Sequence, residues 1–260
     1  MKSSNGSPPG SLWGVTLFFV VFVLGAWELS SRQAHAPEYF LGPISIVQAA
    51  GERVLHGEAL HQGLHSVWRA YAGFLIGGSI GITLGLLSGI SRRVRDALDI
   101  SQAFVHAVPK ISLFPAVAVW LGFTDASRIL IISLSCFFPA YLNAMSGALG
   151  INPRYLWLSR NNEVSGLRTF FQVVLPASLP RTMVGLRISL MVAFILMVAT
   201  EVVGHSDGLG SIVMSSYQDG NYRQMYAGIL LIGLAGYLSN LILEKVAAKL
   251  CRGQNMEFGG

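Results

Sequence analysis

Residues 66–90 read S-V-W-R-A-Y-A-G-F-L-I-G-G-S-I-G-I-T-L-G-L-L-S-G-I, and this stretch decides the fold class. A membrane-crossing helix needs about 20 mainly apolar residues, and these 25 supply that length. Gly73, Gly77, Gly81, Gly85 and Gly89 follow one another at intervals of four. On a helix they form one slowly drifting stripe, against which a second helix can lie backbone to backbone. In water each would weaken the helix relative to alanine. In lipid, where helices associate through close packing, the stripe is a contact surface, and it reads as architecture rather than pore lining.

Outward from this stretch, five further segments approach spanning length: 12–29, 98–122, 129–149, 182–204 and 225–243. The composition agrees. Of the 260 residues 52% are hydrophobic and only 12% charged, against roughly a quarter charged in soluble domains, so little is available to cover a water-facing surface. The fold expected is all-α, a polytopic bundle of about six transmembrane helices forming one domain. Pro109, Pro115 and Pro139 fall inside the third and fourth spans, where they free backbone carbonyls. No internal repeat is visible, so inverted-repeat transporters gain no support.

The first segment has a competing reading, because Lys2, the apolar run and Ala34-His35-Ala36 resemble a cleavable secretory signal. The long apolar core and the charges of Glu28 and Arg32 before the triplet favour a retained first helix. Between it and the second span lies a long external loop, 30–65, with an amphipathic stretch at 45–55 that reads as a short helix at the membrane surface. Lys and Arg concentrate in cytoplasmic loops. With the N-terminus inside, that side holds eleven of them, among them Arg92, Arg93, Arg95, Arg154, Arg160, Arg168, Arg181, Lys245 and Lys249. The outside keeps Arg32, Arg53, Arg128 and Arg223. Both termini, including the tail 244–260, are therefore expected in the cytoplasm.

The net charge of +5 does not mark a nucleic-acid binder, since the basic residues sit in short gaps between apolar runs rather than on one basic face. Cys136 and Cys251 are too far apart in sequence and setting to suggest a disulfide or metal site. His35, His56, His61 and His65 lack metal-ligand spacing. No G-x-x-x-x-G-K-[ST] phosphate loop, H-E-x-x-H or C-x-x-C occurs. Enzymatic activity in this chain is not expected.

The cytoplasmic loop 150–181 is too apolar to be a bare linker. Tyr155, Leu156 and Leu158, then Val164, Leu167, Phe170, Phe171 and Val174, recur near helical spacing, with Arg and Asn between them. That pattern predicts a short helix across the cytoplasmic face, offered to a partner.

An ordered series of motifs extends this. V-V-L-P-A-S-L-P occupies 173–180, G-L-R-I-S-L 185–190, A-T-E-V-V-G 199–204 and G-L-G 208–210. Earlier come H-A-V-P-K-I-S-L-F-P-A-V-A-V-W-L-G-F at 106–123 and F-F-P-A-Y-L-N-A at 137–144. Across 40–247 the chain resembles the permeases of type I ABC importers, in the branch that takes up nitrate, taurine, sulfonates and bicarbonate. The resemblance implies a bacterial inner-membrane permease working as a homo- or heterodimer. It also implies an external solute-binding protein, surrounding lipid and a cytoplasmic ATPase pair that holds ATP and Mg, so that this chain binds no cofactor. The loop would carry a coupling helix docking into the ATPase through Arg154, Tyr155, Leu158, Arg160, Glu163, Val164, Leu167, Arg168, Phe171, Leu175 and Pro176. Such loops usually read Glu-Ala-Ala, then Gly, then Leu-Pro. Here Trp157, Leu158 and Ser159 replace the first three and Glu163 the glycine, while Leu175 and Pro176 remain.

Ionisable groups at membrane depth are costly and mark candidate pathways. Lys110, Arg187 and Glu201 qualify, with Asn143 as a polar companion. The blander readings are snorkelling, internal pairing and, for Asn143, interhelical hydrogen bonding. A cationic centre suits anionic cargo: a sulfonate, taurine or nitrate. The rival is an ATP-independent channel or ion-coupled carrier in which Glu201 and Lys110 couple to protons or ions.

Overall fold

The computed structural model describes residues 10–55, 57–98, 108–204 and 207–251. It is all-helical over those residues. The elements are α1 (Gly10–Ser31), α2 (Pro43–Leu55), α3 (Glu58–Ile90), α4 (residues 92–98), α5 (Phe114–Leu121), α6 (Asp125–Leu149), α7 (Pro153–Asn161), α8 (Gly166–Thr169), α9 (Leu175–Gly204), α10 (Leu209–Gln218) and α11 (Tyr222–Leu250). A 3₁₀ turn, Lys110–Leu113, leads into α5, and a π-helical turn, Phe170–Val174, joins α8 to α9.

Five stretches are long and apolar enough to cross a membrane: Gly14–Ser31, Ala59–Ile90, Asp125–Leu149, Gly166–Gly204 and Tyr222–Leu250. They contain the expected second, fourth, fifth and sixth segments and overlap the first, 12–29, from Gly14 onward. Of the third, 98–122, residues 99–107 lie outside the described residues. The remainder, Lys110–Leu121, is a short apolar helix below spanning length. The helical stretch that holds the fifth span begins at Gly166 rather than at 182, so the second half of the expected loop is helix continuous with that span. The reason lies in Leu175-Pro176: the proline has no N–H to return to the carbonyl four residues back. The N–H of Leu175 instead reaches Phe170 O, five back, and the helix passes through the proline as a π turn without ending.

The core is α3 laid on α6, with α9 against both. The glycine stripe does what its spacing predicted. A Cβ on Gly81 would stand 2.5 Å from the carbonyl oxygen of Phe137, and one on Gly185 of α9 2.6 Å from Asn143 Cβ. The helices therefore touch through backbone. Ala70, Phe74, Ile132, Cys136, Leu190, Ala193 and Met197 fill the space where the three meet. The amphipathic stretch forms α2, whose Ala49 and Ala50 pack on Ala227 of α11. By contrast α1 packs chiefly on α2, and its apolar side chains from Val15 to Leu24 are exposed.

The bundle has two unlike ends. One collects the start of α3, the start of α6 and the end of α9, with α10 folded over them. At the other, Leu86, Ala144, Ala148, Ile151 and Val174 pack together beneath α7.

Candidate functional site

At the α7 end, Asn152 Oδ1 accepts the backbone N–H of Arg154 at 3.0 Å and starts the helix. Ser159 is buried, and Leu156 and Phe170 pack inward against the Ile151 cluster. What this leaves outside is apolar. Tyr155 is 58% exposed, Trp157 69%, Leu158 57%, Leu167 76% and Phe171 62%. Arg154, Glu163 and Arg168 are exposed among them, while Val164, Leu175 and Pro176 are half-buried. Ser165 Oγ caps α8 by accepting the N–H of Arg168. The side chain of Arg160 lies outside the described residues. The surface thus gathers most of the residues expected for docking and adds Trp157, which the motif comparison had noted only as a departure.

Glu163 is the described non-glycine residue with positive φ, at 51°. It occupies the position where the resembled family carries glycine. The turn from α7 into α8 therefore demands the left-handed conformation that glycine adopts without penalty.

At the opposite end the structure assembles charges that the sequence analysis had scattered. Arg69 of α3, 1% exposed, donates from Nε to Asp125 Oδ1 at 2.7 Å. Its Nη1 reaches Glu201 Oε1 at 2.9 Å and Asp207 O at 2.7 Å, and its Nη2 reaches Asp207 Oδ1 at 2.8 Å. Glu201, fully buried, also accepts from Ser66 Oγ and from the backbone N–H of Gly210. Arg128 donates from Nη1 to Asp125 Oδ1 at 3.3 Å. Its Nε and Nη2 are buried without a partner among the described residues.

The G-L-G motif belongs to this network. Gly208 has φ 126° and gives its N–H to Gln62 Oε1, while a Cβ there would run into the Glu201 carboxylate. Only glycine lets the chain pass so close. Asp207 sits at the rim. Burial pushes its carboxyl up, but the hydrogen bond and charge of Arg69, with His65 and Arg128 nearby, outweigh that and hold it below the ordinary carboxylate range.

The four candidate pathway residues are not brought together. Glu201 is consumed by the network. Arg187 pairs with Glu244 of α11 at 2.7 Å, and Asn143 donates to the carbonyl of Pro139 within its own helix. Lys110 holds its Nζ 4.8 Å from the centre of the Phe138 ring, in the wall of a cavity of about 340 Å³ between the 3₁₀ turn, α6 and α9. Arg69 was missed, although it is the sole charge in 66–90 and the criterion that picked out Lys110 applied to it equally.

The family described as binding-protein-dependent transport system inner membrane component matches residues 81–252. The putative aliphatic sulfonates transport permease protein of Bacillus subtilis is 33% identical over 95% of this chain and 90% of its own length. The nitrate import permease protein of Leptolyngbya laminosa is 27% identical over 96% and 94%. Among solved structures, the inward-facing MetNI methionine ABC transporter superposes with a TM-score of 0.60 at 18% identity, covering 75% of this chain and 97% of that one. This last likeness concerns the fold.

Proposed function

The chain belongs to the binding-protein-dependent transport system inner membrane component family, and from that premise we propose that it is the permease half of an ATP-driven importer of small organic anions, with alkanesulfonates preferred. Two copies, or one copy and a homologous partner, enclose the path. An external binding protein delivers the anion at the Arg69 end. A cytoplasmic ATPase pair grips the α7 end, and ATP and Mg reside on that pair. Hydrolysis moves the bundle only if nucleotide favours one arrangement over the other.

The observation that carries this reading is the unpartnered cluster of Tyr155, Trp157, Leu158, Leu167 and Phe171, set among Arg154 and Arg168. Exposed aromatics with arginine are what protein interfaces enrich. Arg92, Arg93, Arg95, Arg181, Lys245 and Lys249 follow or precede the same helix ends, which supports placing this end in the cytoplasm. The sulfonate preference rests on the likeness to the Bacillus permease. The ion-coupled rival is weakened because the Glu201 carboxylate is engaged on both oxygens.

The test is association with the ATPase in detergent. Trp157→Ala combined with Leu158→Ala should weaken it about 30-fold or more, the effect of losing an interface hot spot. Arg168→Glu should weaken it or uncouple hydrolysis from uptake. Tyr217→Ala, equally exposed but on α10 at the other end, should leave association unchanged. If Tyr217→Ala abolishes binding and the α7 pair does not, the docking end has been assigned the wrong way round.

A further inference from the structure

We propose that the groove between α9 and α11 is a binding site for a phospholipid with a primary ammonium headgroup. One acyl chain lies in the groove, and the headgroup sits on the ion pair of Arg187 and Glu244 at its foot. The inference goes beyond the reading of the chain as an importer and does not depend on which anion is carried.

The groove exists because side chains are missing from it. Met191, Phe194 and Val198 of α9, with Ile232, Gly233 and Tyr237 of α11, line a cavity of about 520 Å³. A Cβ on Gly233 would meet nothing within 4 Å, so the space is open where any other residue would begin to fill it. From Ile232 to Asn240 the groove follows about 12 Å of α11. Met191 and Tyr237 on its rims are exposed, so it opens on the outside of the bundle. Below it the two helices close again, where Met183 packs on Ala247 and Cys251.

The foot is polar and lies at headgroup level. Glu244 is 22 residues past Tyr222 in α11, about 33 Å at 1.5 Å per residue. The hydrocarbon core of a membrane is about 30 Å thick, so its far boundary falls at Glu244. There Arg187 Nη2 meets Glu244 Oε1 at 2.7 Å, and Asn240 Nδ2 donates to the same oxygen at 3.1 Å. The side chains of Arg187 and Glu244 are 41% and 39% exposed, so a headgroup reaches both. Asn240 Oδ1 is buried without a donor among the described residues.

That combination selects a chemistry. A phosphate answers the Arg187 guanidinium, and an ammonium with three N–H donors answers the Glu244 carboxylate in a cluster short of donors. Phosphatidylcholine brings both charges but no N–H on its cation. Phosphatidylglycerol brings the phosphate and no cation. Free phosphate leaves the hydrocarbon groove unfilled. Phosphatidylethanolamine meets the groove, the cation and the carboxylate together. The level of the foot favours a lipid over a second copy of the chain, because a headgroup carries phosphate and ammonium at that depth by construction.

The experiment exposes the full chain, purified in detergent, to equal amounts of the ethanolamine, choline and glycerol phospholipids and counts retained lipid by native mass spectrometry. The wild type should retain phosphatidylethanolamine about tenfold over either of the others, the discrimination expected of charged hydrogen bonds. Glu244→Gln should erase that preference and move it toward phosphatidylglycerol, because Arg187 loses its carboxylate. Gly233→Phe, which fills the groove and leaves the ion pair in place, should lower retention of phosphatidylethanolamine by about tenfold. Both variants should keep the wild-type oligomeric state and ATPase association, so this test and that of the α7 surface fail separately. Wild-type retention without headgroup preference would overturn the proposal, as would undiminished retention by Gly233→Phe. Displacement of the lipid by inorganic phosphate would overturn it in favour of a free-anion site. Separation of paired chains by Gly233→Phe would show that a second copy fills the groove, and would overturn it too.

Discussion

The two ends of the bundle solve opposite problems. At the Arg69 end, charge is placed inside: a guanidinium with almost no exposure is shared among Asp125, Glu201 and Asp207, and a glycine-bearing loop closes over it. At the α7 end, apolar side chains are placed outside, with Trp157 and Leu167 among the most exposed large residues of the bundle. The polar contacts of Arg69 are made within one chain, while Arg128 Nε and Nη2 beside them have no partner among the described residues. The difference teaches that one end spends its side chains on contacts inside the bundle, while the other leaves large apolar ones outside it.

That contrast can be broken most forcefully at Arg69. Arg69→Met keeps the length of the side chain but leaves Glu201 buried without its cation, which should cost about 3–5 kcal/mol. Chemical unfolding of the detergent-solubilised chain reads this directly. A variant as stable as the wild type would show that the network is not what holds this end closed. ATPase association measured on the surviving folded fraction should be unaffected, because the α7 surface is built separately.

A smaller change sharpens the other side. Glu163→Gly removes a side chain from a left-handed conformation, which L-residues adopt at a cost of about 1–2 kcal/mol, and loses part of that gain to the freer unfolded chain. The net expectation is a stabilisation of about 0.5–1 kcal/mol, seen as slower proteolysis between α7 and α8. Faster cleavage there would mean that the Glu163 side chain holds the turn rather than straining it.

The smallest expected effect is a pH dependence at the rim of the network. Asp207 titrates below its ordinary 3.8 when folded. Its contribution is therefore fully present above that value and is lost as the pH falls through the lower, folded pKa. The side chain is 44% exposed, so the effect is a modest one. Unfolding midpoints followed from pH 6 to pH 3 should fall more steeply below about pH 4 in the wild type than in Asp207→Asn. Parallel curves would remove Asp207 from the network's energetics.

Much of this contrast was legible in the residues. The glycine stripe announced close contact and found α6, and the apolar pattern of 155–171 announced a helical surface whose large side chains the fold leaves exposed. The position of Glu163, read only as a departure from glycine, coincided with a backbone angle that explains why glycine stands there. What escaped was long-range. Ser66, Arg69, Asp125, Glu201 and Asp207 come from four separate segments, and no local spacing links them. Glu201 alone was visible, and alone it read as a path residue. The run-through from α8 into α9 was hidden because two prolines four residues apart ordinarily signal a helix start, whereas a π turn carries the helix past them. Arg187 likewise read as a lone intramembrane cation because its partner, Glu244, lies on the last helix.

The interlock of α3 and α6 bears on how the bundle can move. With carbonyls of one helix resting where the side chains of the other would be, neither can slide or roll without collision. Any cycle between inward and outward openings must carry that pair as a single slab. Spin labels on the outer faces of α3 and α6 should then keep a constant separation through the cycle. The hinges are to be sought where the packing is looser, along α11, α1 and the half-length α5.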